Sequence, residues 1–142
     1  MKGMFWKSIS FFCLNLSLAP FLYLEWGKDD ILIIGKNKIS FAEELEPAKD
    51  DIVFEKFVPN AFLGTSFEWL LRKHALKTII LAGASLETGI DGTARDALNL
   101  GYYTVIVRDC VDSQFKDTYE AALLSLERIF DVVDSSEITR EW

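Results

Sequence analysis

Few residues in this 142-residue chain have side chains that drive reactions, and their scarcity limits what it does. There is one histidine, His74, so a Ser/His/Asp triad exists only if His74 is its base, and a histidine-rich metal site is excluded. The two cysteines, Cys13 and Cys110, give neither a disulfide framework nor a paired metal-ligand spacing. No metal and no cofactor is expected. Three places remain, each where an apolar run ends: Lys56 after DIVFE, the stretch GASLETG at 83–89, and Arg108, Asp109 and Cys110 after TVIV. Lysine and the N–H groups at a helix start suit anions, and a carboxylate such as Glu87 suits a polar ligand.

The elements that carry them are legible. Runs at 31–34 (ILII), 51–55 (DIVFE), 78–82 (TIILA), 104–107 (TVIV) and 129–133 read as strands, bounded by Gly, Pro or charged turns. Between them, 66–75 places Phe67, Leu70 and Leu71 on one helical face, and 88–100 places Ile90, Ala94, Ala97 and Leu98 likewise. Gly101 then suits a left-handed C-cap. A further helix at 118–128 is expected to start from Asp117 with Glu120 in a capping-box arrangement. Strands apolar throughout, alternating with amphipathic helices, need helices on both faces of the sheet. The fold class is therefore α/β, a three-layer α/β/α sandwich with a mainly parallel, Rossmann-like sheet. In such sheets ligands bind beyond the carboxyl ends of the strands, where the three candidate places fall.

Length and composition set the outer bounds. One domain is expected, and with half the residues apolar and 13% aromatic it has material for a core. Lys plus Arg number 15 against 22 Asp plus Glu, a net charge of −7, which argues against nucleic acid as a partner. The first 24 residues hold Lys2 and Lys7 but no acidic residue. Within them, 9–24 is mostly apolar and contains Ser17, Leu18 and Ala19, as a secretory leader would. Pro20 sits badly after such a cleavage site, and the run is shorter than the roughly 20 residues that span a bilayer. A buried strand and helix is the equal alternative.

Several motifs in order resemble the isochorismatase-like (cysteine hydrolase) superfamily, which includes nicotinamidases, carbamoylases and isochorismatases. They are Lys56 followed by the segment to Phe62, GASLETGI at 83–90, TARDA at 93–97, Gly101 and Tyr102, and DCVDS at 109–113. The likeness covers about residues 39–138, so 39–142 is expected to be the domain and 1–38 an atypical apolar leading segment. The resemblance implies an Asp/Lys/Cys trio on a parallel sheet, with backbone N–H groups at a helix start holding an oxyanion. Matched by position, the lysine is Lys56 and the nucleophile position is Gly89. The turn of Ala84, Ser85, Glu87 and Thr88 would bind substrate or the oxyanion. A non-proline cis bond is expected near Ala84 and Ser85, and the Gly89 N–H is expected to share a crevice with the Lys56 ammonium.

Two departures shape the functional expectation. Glycine at the nucleophile position argues against amidase chemistry more than against hydrolysis in general, since isochorismatases resemble this chain in having glycine there. Protonating a vinyl carbon and adding water needs an acid and no thiol. The family's aspartate, at the end of the first strand, has no acidic counterpart before Glu25. The normal first strand is thus expected to be lacking, through truncation, a shifted frame or a misplaced start. Glu25 is more plausibly a surface carboxylate than its replacement. The sheet would then close around 21–24 or 31–34, or leave an open edge.

Other residues carry blander readings. Cys110 reads as a buried inert thiol, His74 as a surface residue at a helix C-terminus, and Asp109 and Ser113 as loop-holding side chains. Trp69, with Phe57 and Phe62, reads as core packing before pocket lining or an oligomer contact. Two classes remain: a cytoplasmic, homo-oligomeric hydrolase of a small polar metabolite (enol ether or amide), impaired by the missing aspartate and cysteine, or an inactive remnant that serves binding or assembly. No membrane partner is expected unless the leading segment is a leader.

Overall fold

The computed structural model describes residues 11–15, 49, 51–56 and 58–141. The chain divides into two compact units, Met1–Val58 and Pro59–Trp142.

In the first unit, two short strands rich in aromatic and β-branched residues pair in parallel: β1 (Phe11–Asn15) and β2 (Ile52–Lys56). Their register runs from Phe11 beside Ile52 to Asn15 beside Lys56. Phe54 and Lys56 are buried while Val53 is exposed, the two-residue period of a strand with one covered face. A strand therefore forms at 11–15, where the sequence left leader and strand readings open. The remainder of 9–24, the candidate closing strands at 21–24 and 31–34, and Glu25 lie outside the described residues.

The second unit is built on a parallel three-stranded sheet in the order β3 (Thr78–Ala84), β4 (Tyr103–Asp112), β5 (Asp131–Val133). α1 (Phe67–Lys73) precedes it; a single π-helical turn at Leu86–Ile90 runs straight into α2 (Asp91–Asn99) and links β3 to β4. α3 (Lys116–Leu126) links β4 to β5, and α4 (Ser135–Glu141) follows. Four successive residues of β4, Thr104 to Val107, are buried, so this central strand is covered on both faces. β3 differs: Ile79 and Leu81 are buried, Ile80 and Ala82 are not. Leu71, Leu86, Ile106 and Leu126 are the largest fully buried side chains. Each contributes about 1.5–3 kcal/mol by burial, against about 0.3–0.5 kcal/mol for an exposed helical ion pair such as Arg95–Asp91 at 2.6 Å. The core, not surface charge, holds this unit.

Most expected elements are present, with three corrections. The segment DIVFE pairs with β1 in a two-stranded sheet, while the runs at 78–82, 104–107 and 129–133 supply the strands of the three-stranded one. α3 starts one residue before Asp117; Phe115 is its N-cap without a side-chain cap bond, and Thr118 Oγ1 donates instead to the Phe115 carbonyl. Trp69 is 60% exposed, its ring 4.8 Å from the Lys73 ammonium, so it is not core. Phe62 does pack, against Phe67 and Tyr102; Phe57 lies outside the described residues. Gly101, at φ +84°, ends α2 in the left-handed conformation as expected.

Candidate active site

The turn after β3 is the chemically richest place in the second unit. Its lead-in is the expected cis peptide between Ala84 and Ser85. Ser85 is buried, extended, and makes no side-chain cap. Its carbonyl accepts two N–H groups, from Gly89 at 3.0 Å and Ile90 at 3.1 Å, and the second bond is what widens the turn to π geometry. This corrects the expectation for Gly89, whose N–H is spent inside the turn and does not face a crevice. The unspent donors are those of a helix start, the N–H groups of Leu86, Glu87 and Thr88.

Side chains from the neighbouring strand close on this turn. Ala84 lies beside Asp112 in the β3–β4 ladder. One residue further on, the Ser113 hydroxyl donates to Glu87 Oε1 at 2.8 Å, and Ser113 Oγ accepts the Phe115 N–H at 3.0 Å. Ser113 thus holds its loop as expected, and it also ties that loop to Glu87, which the sequence did not reveal. Glu87 Oε2 is buried with no hydrogen-bond partner. Thr88 is half-buried and Gly89 buried. Ala84, Ser85, Glu87, Thr88 and Gly89 are therefore gathered in one turn with Ser113.

The loop before α1 is fastened to the helix that this turn begins. Asn60 Nδ2 donates to the Gly92 carbonyl at 3.1 Å and to Asp96 Oδ2 at 2.7 Å, and the Ala61 N–H donates to Thr93 Oγ1 at 3.0 Å. Arg95 of the TARDA run bonds Asp91 and, at 3.3 Å, Ser125 Oγ, joining α2 to α3.

Lys56, the other candidate, belongs to the first unit. It is the last residue of β2, only 6% exposed, on the same strand face as Phe54. Its register neighbour is Asn15, the last residue of β1. Asn15 carries no carboxylate to mark it in the sequence; its one signal is the apolar run FFCL ending in a polar residue.

The third candidate place is structural. Asp109 accepts the Ser135 N–H at 2.8 Å and the Ser135 hydroxyl at 2.6 Å, capping α4, and these bonds hold its carboxyl below the usual range. Arg108 pairs with Glu127 and, at 3.5 Å, with Asp134. A cleft of about 400 Å³ beside it, lined also by Phe130 and Val133, holds that paired guanidinium as its one cation. Cys110 is exposed, not buried. Partial desolvation, then the adjacent Asp109 carboxylate, pushes its thiol up. His74 is the exposed C-cap of α1. Among the described residues no three of His, Cys, Asp and Glu converge as metal ligands, and no helix is long and apolar enough to cross a membrane.

Comparison with known proteins follows the same outline. The isochorismatase domain profile matches residues 16–137. Maleamate amidohydrolase of Pseudomonas putida is 31% identical over 111 residues, 78% of this chain and 52% of the relative. An uncharacterized isochorismatase family protein of Bacillus subtilis is 30% identical over 72% of this chain and 52% of its own length. The chain thus spans about half the length of these curated relatives. Among solved structures, an isochorismatase family protein from Desulfovibrio vulgaris superposes with a TM-score of 0.71 at 27% identity, over 84% of this chain and 63% of its own.

Proposed function

The chain belongs to the isochorismatase family, and on that premise we propose that it is a hydrolase-type protein for a small polar metabolite of the enol ether or amide class, with its chemistry impaired. The observation that carries this reading is the pairing of Asn15 with Lys56 at the ends of two parallel strands. The resemblance calls for an aspartate at the end of the first strand. On this reading Asn15, the last residue of β1, stands where that aspartate would, and a carboxamide neither takes nor gives a proton near neutral pH. Lys56 retains the family's cation, and Gly89 occupies the nucleophile position without a thiol. General acid–base catalysis contributes about 10²–10⁴-fold, so its loss leaves a site that binds better than it turns over. That one relative is a maleamate amidohydrolase supports an amide as ligand class.

The chain's own residues have limited roles in this scheme. Lys56 neutralises negative charge, and the N–H groups of Leu86, Glu87 and Thr88 offer hydrogen bonds to a developing oxyanion. The reading includes a homo-oligomer in the cytoplasm, which light scattering and cell fractionation test. Turnover of maleamate, isochorismate and nicotinamide by the purified chain and by Lys56→Ala is the direct experiment: weak or undetectable turnover with measurable, Lys56-dependent binding is expected. Brisk turnover overturns the impairment. A second reading, a binding or assembly subunit, is favoured by Asn15 and Gly89 together, and Lys56-independent association with another protein would establish it.

A further inference from the structure

At the amino ends of β3 and β4, away from the candidate site at the carboxyl ends, α1 and α2 close with the same pair of bonds. The Ala75 N–H donates to the Arg72 carbonyl at 3.0 Å and the Leu76 N–H to that of Leu71 at 2.9 Å. In α2, Gly101 donates to Leu98 at 3.0 Å and Tyr102 to Ala97 at 2.9 Å. Both turns need a left-handed residue: Gly101 at φ +84° and Ala75 at φ +54°, where a side chain brings strain. The Tyr103 N–H, bonded to the Lys77 carbonyl at 2.9 Å, joins the two turns. A cleft of about 240 Å³ lies there, lined by Arg72, Leu76, Lys77, Leu100 and Tyr102 among others.

Charge gathers around this cleft against the trend of the chain. The net charge is −7, yet the stretch from Trp69 to Leu86 holds Arg72, Lys73 and Lys77 and no acidic residue. Lys77 is exposed, belongs to neither helix, and its ammonium has no partner among the described residues. Arg72 gives its Nε and Nη2 to Glu68 Oε1, at 2.8 and 2.7 Å, and keeps Nη1. The Tyr102 ring is buried against Phe62, while its hydroxyl has no hydrogen-bond partner among the described residues. Glu68, and after it the Tyr102 phenol, raise the Arg72 pKa, which marks phenol and guanidinium as neighbours.

We propose that this cleft is a second ligand site and takes inorganic phosphate, with Lys77, Arg72 Nη1 and the Tyr102 hydroxyl each donating to one of its oxygens. Cations in the last turn of α1 also complement the end of that helix, but this accounts for neither Lys77 nor Tyr102. A carboxylate has two oxygens for three donors. The carbonyls of Ala75 and Leu100 receive no backbone N–H among the described residues. Hydrogenphosphate brings a proton for such an acceptor, whereas sulfate brings only more negative charge to it. The site does not depend on the hydrolase reading.

Titration of the full chain with inorganic phosphate at pH 7, followed by backbone amide NMR shifts, tests this. Saturable shifts are expected, largest at Lys77, Gly101 and Tyr102. Lys77→Ala should weaken binding about tenfold or more, the scale of one charged hydrogen bond. Tyr102→Phe keeps the ring against Phe62 and should weaken it severalfold; if that variant does not fold, Lys77→Ala, at an exposed position, still decides. Lys116→Ala, at an exposed position of α3, should change nothing. Sulfate and acetate are expected to bind more weakly than phosphate. Equal binding of all three anions, or equal effects of Lys77→Ala and Lys116→Ala, would mean diffuse surface charge only and overturn the proposal. Shifts centred on 86–88 would place phosphate at the other end of the sheet and overturn it too. Methyl phosphate has no proton to give near neutral pH, and tighter binding of it would overturn the choice of the free ion.

Discussion

Asn15 and Lys56 stand side by side in a parallel ladder, each the last residue of its strand. A carboxamide neither takes nor gives a proton near neutral pH, so on the family reading this strand end lacks its acid. Asn15→Asp combined with Gly89→Cys is therefore expected to gain amide hydrolysis, measured as ammonia released from maleamate, by about 10²-fold over the unaltered chain. Each single substitution should give much less if, as the family resemblance implies, acid and nucleophile act together. Equal activity of the double variant and the unaltered chain would show that Asn15 does not occupy the family's acid position.

Asp109 gives a pH dependence with a definite sign. Its carboxyl is lowered from 3.8, first by the Ser135 hydroxyl and then by the Ser135 N–H. A depressed folded-state pKa contributes stability that is fully present above 3.8 and is lost as pH falls through the lower folded value. α4 should therefore stay docked at neutral pH and fray only once the pH falls below the ordinary aspartate range. Amide exchange of residues 135–141 measures it. Asp109→Asn should bring the faster exchange to neutral pH and leave β3 unchanged.

Glycine positions give opposite expectations for the same substitution. Gly101 sits at φ +84° with open space around a would-be Cβ, so alanine there costs about 1–2 kcal/mol from backbone strain alone. Gly92 lies inside α2, and a Cβ would meet Asn60 Nδ2 at 3.9 Å, an ordinary contact. Gly92→Ala should stabilise by about 0.5–1 kcal/mol through the lost flexibility of the unfolded chain. Thermal melts that show both variants moving in the same direction would contradict this.

The sequence was informative where one rule dominated. The apolar runs at 78–82 and 104–107 became β3 and β4 because β-branched apolar runs bounded by turn residues favour strands, and Gly101 ended α2 because a left-handed cap admits few residues. It was less so where tertiary contacts decide. β4 extends to Asp112, past the expected end at 107, because β3 carries the ladder on to Ala84 beside Asp112 after an irregularity between Leu81 and Gly83. Local capping favoured Asp117, yet α3 begins at Lys116 with Phe115 as its N-cap. In the site, the turn at 84–89 was legible from its small residues and helix-start position. The Glu87–Ser113 bond spans 26 residues and left no local signal. Asn15 was missed since an amide reads as a bland residue until a register places it beside a lysine.

Two thiols in one chain should titrate in opposite directions, and this offers a test of how the candidate places relate. Cys110 is pushed up by partial desolvation and by Asp109. A cysteine at position 89 would lie in the first turns of a helical run that begins at Leu86, where the helix N-terminus favours the thiolate. Gly89→Cys, made together with Cys13→Ser and Cys110→Ser, is expected to alkylate with a pH midpoint below the roughly 8.5 of a free thiol. Cys110, followed in a Cys13→Ser protein, should show a midpoint above it. Lys56→Ala then separates two causes. If the lysine ammonium acts on position 89, as the family resemblance implies, the midpoint of the introduced thiol rises when it is removed. An unchanged midpoint assigns the effect to the helix N-terminus alone and removes Lys56 from the chemistry of that turn. A midpoint at or above the free-thiol value in the Lys56-containing protein would show that the turn does not favour negative charge, which would withdraw its role in holding an oxyanion.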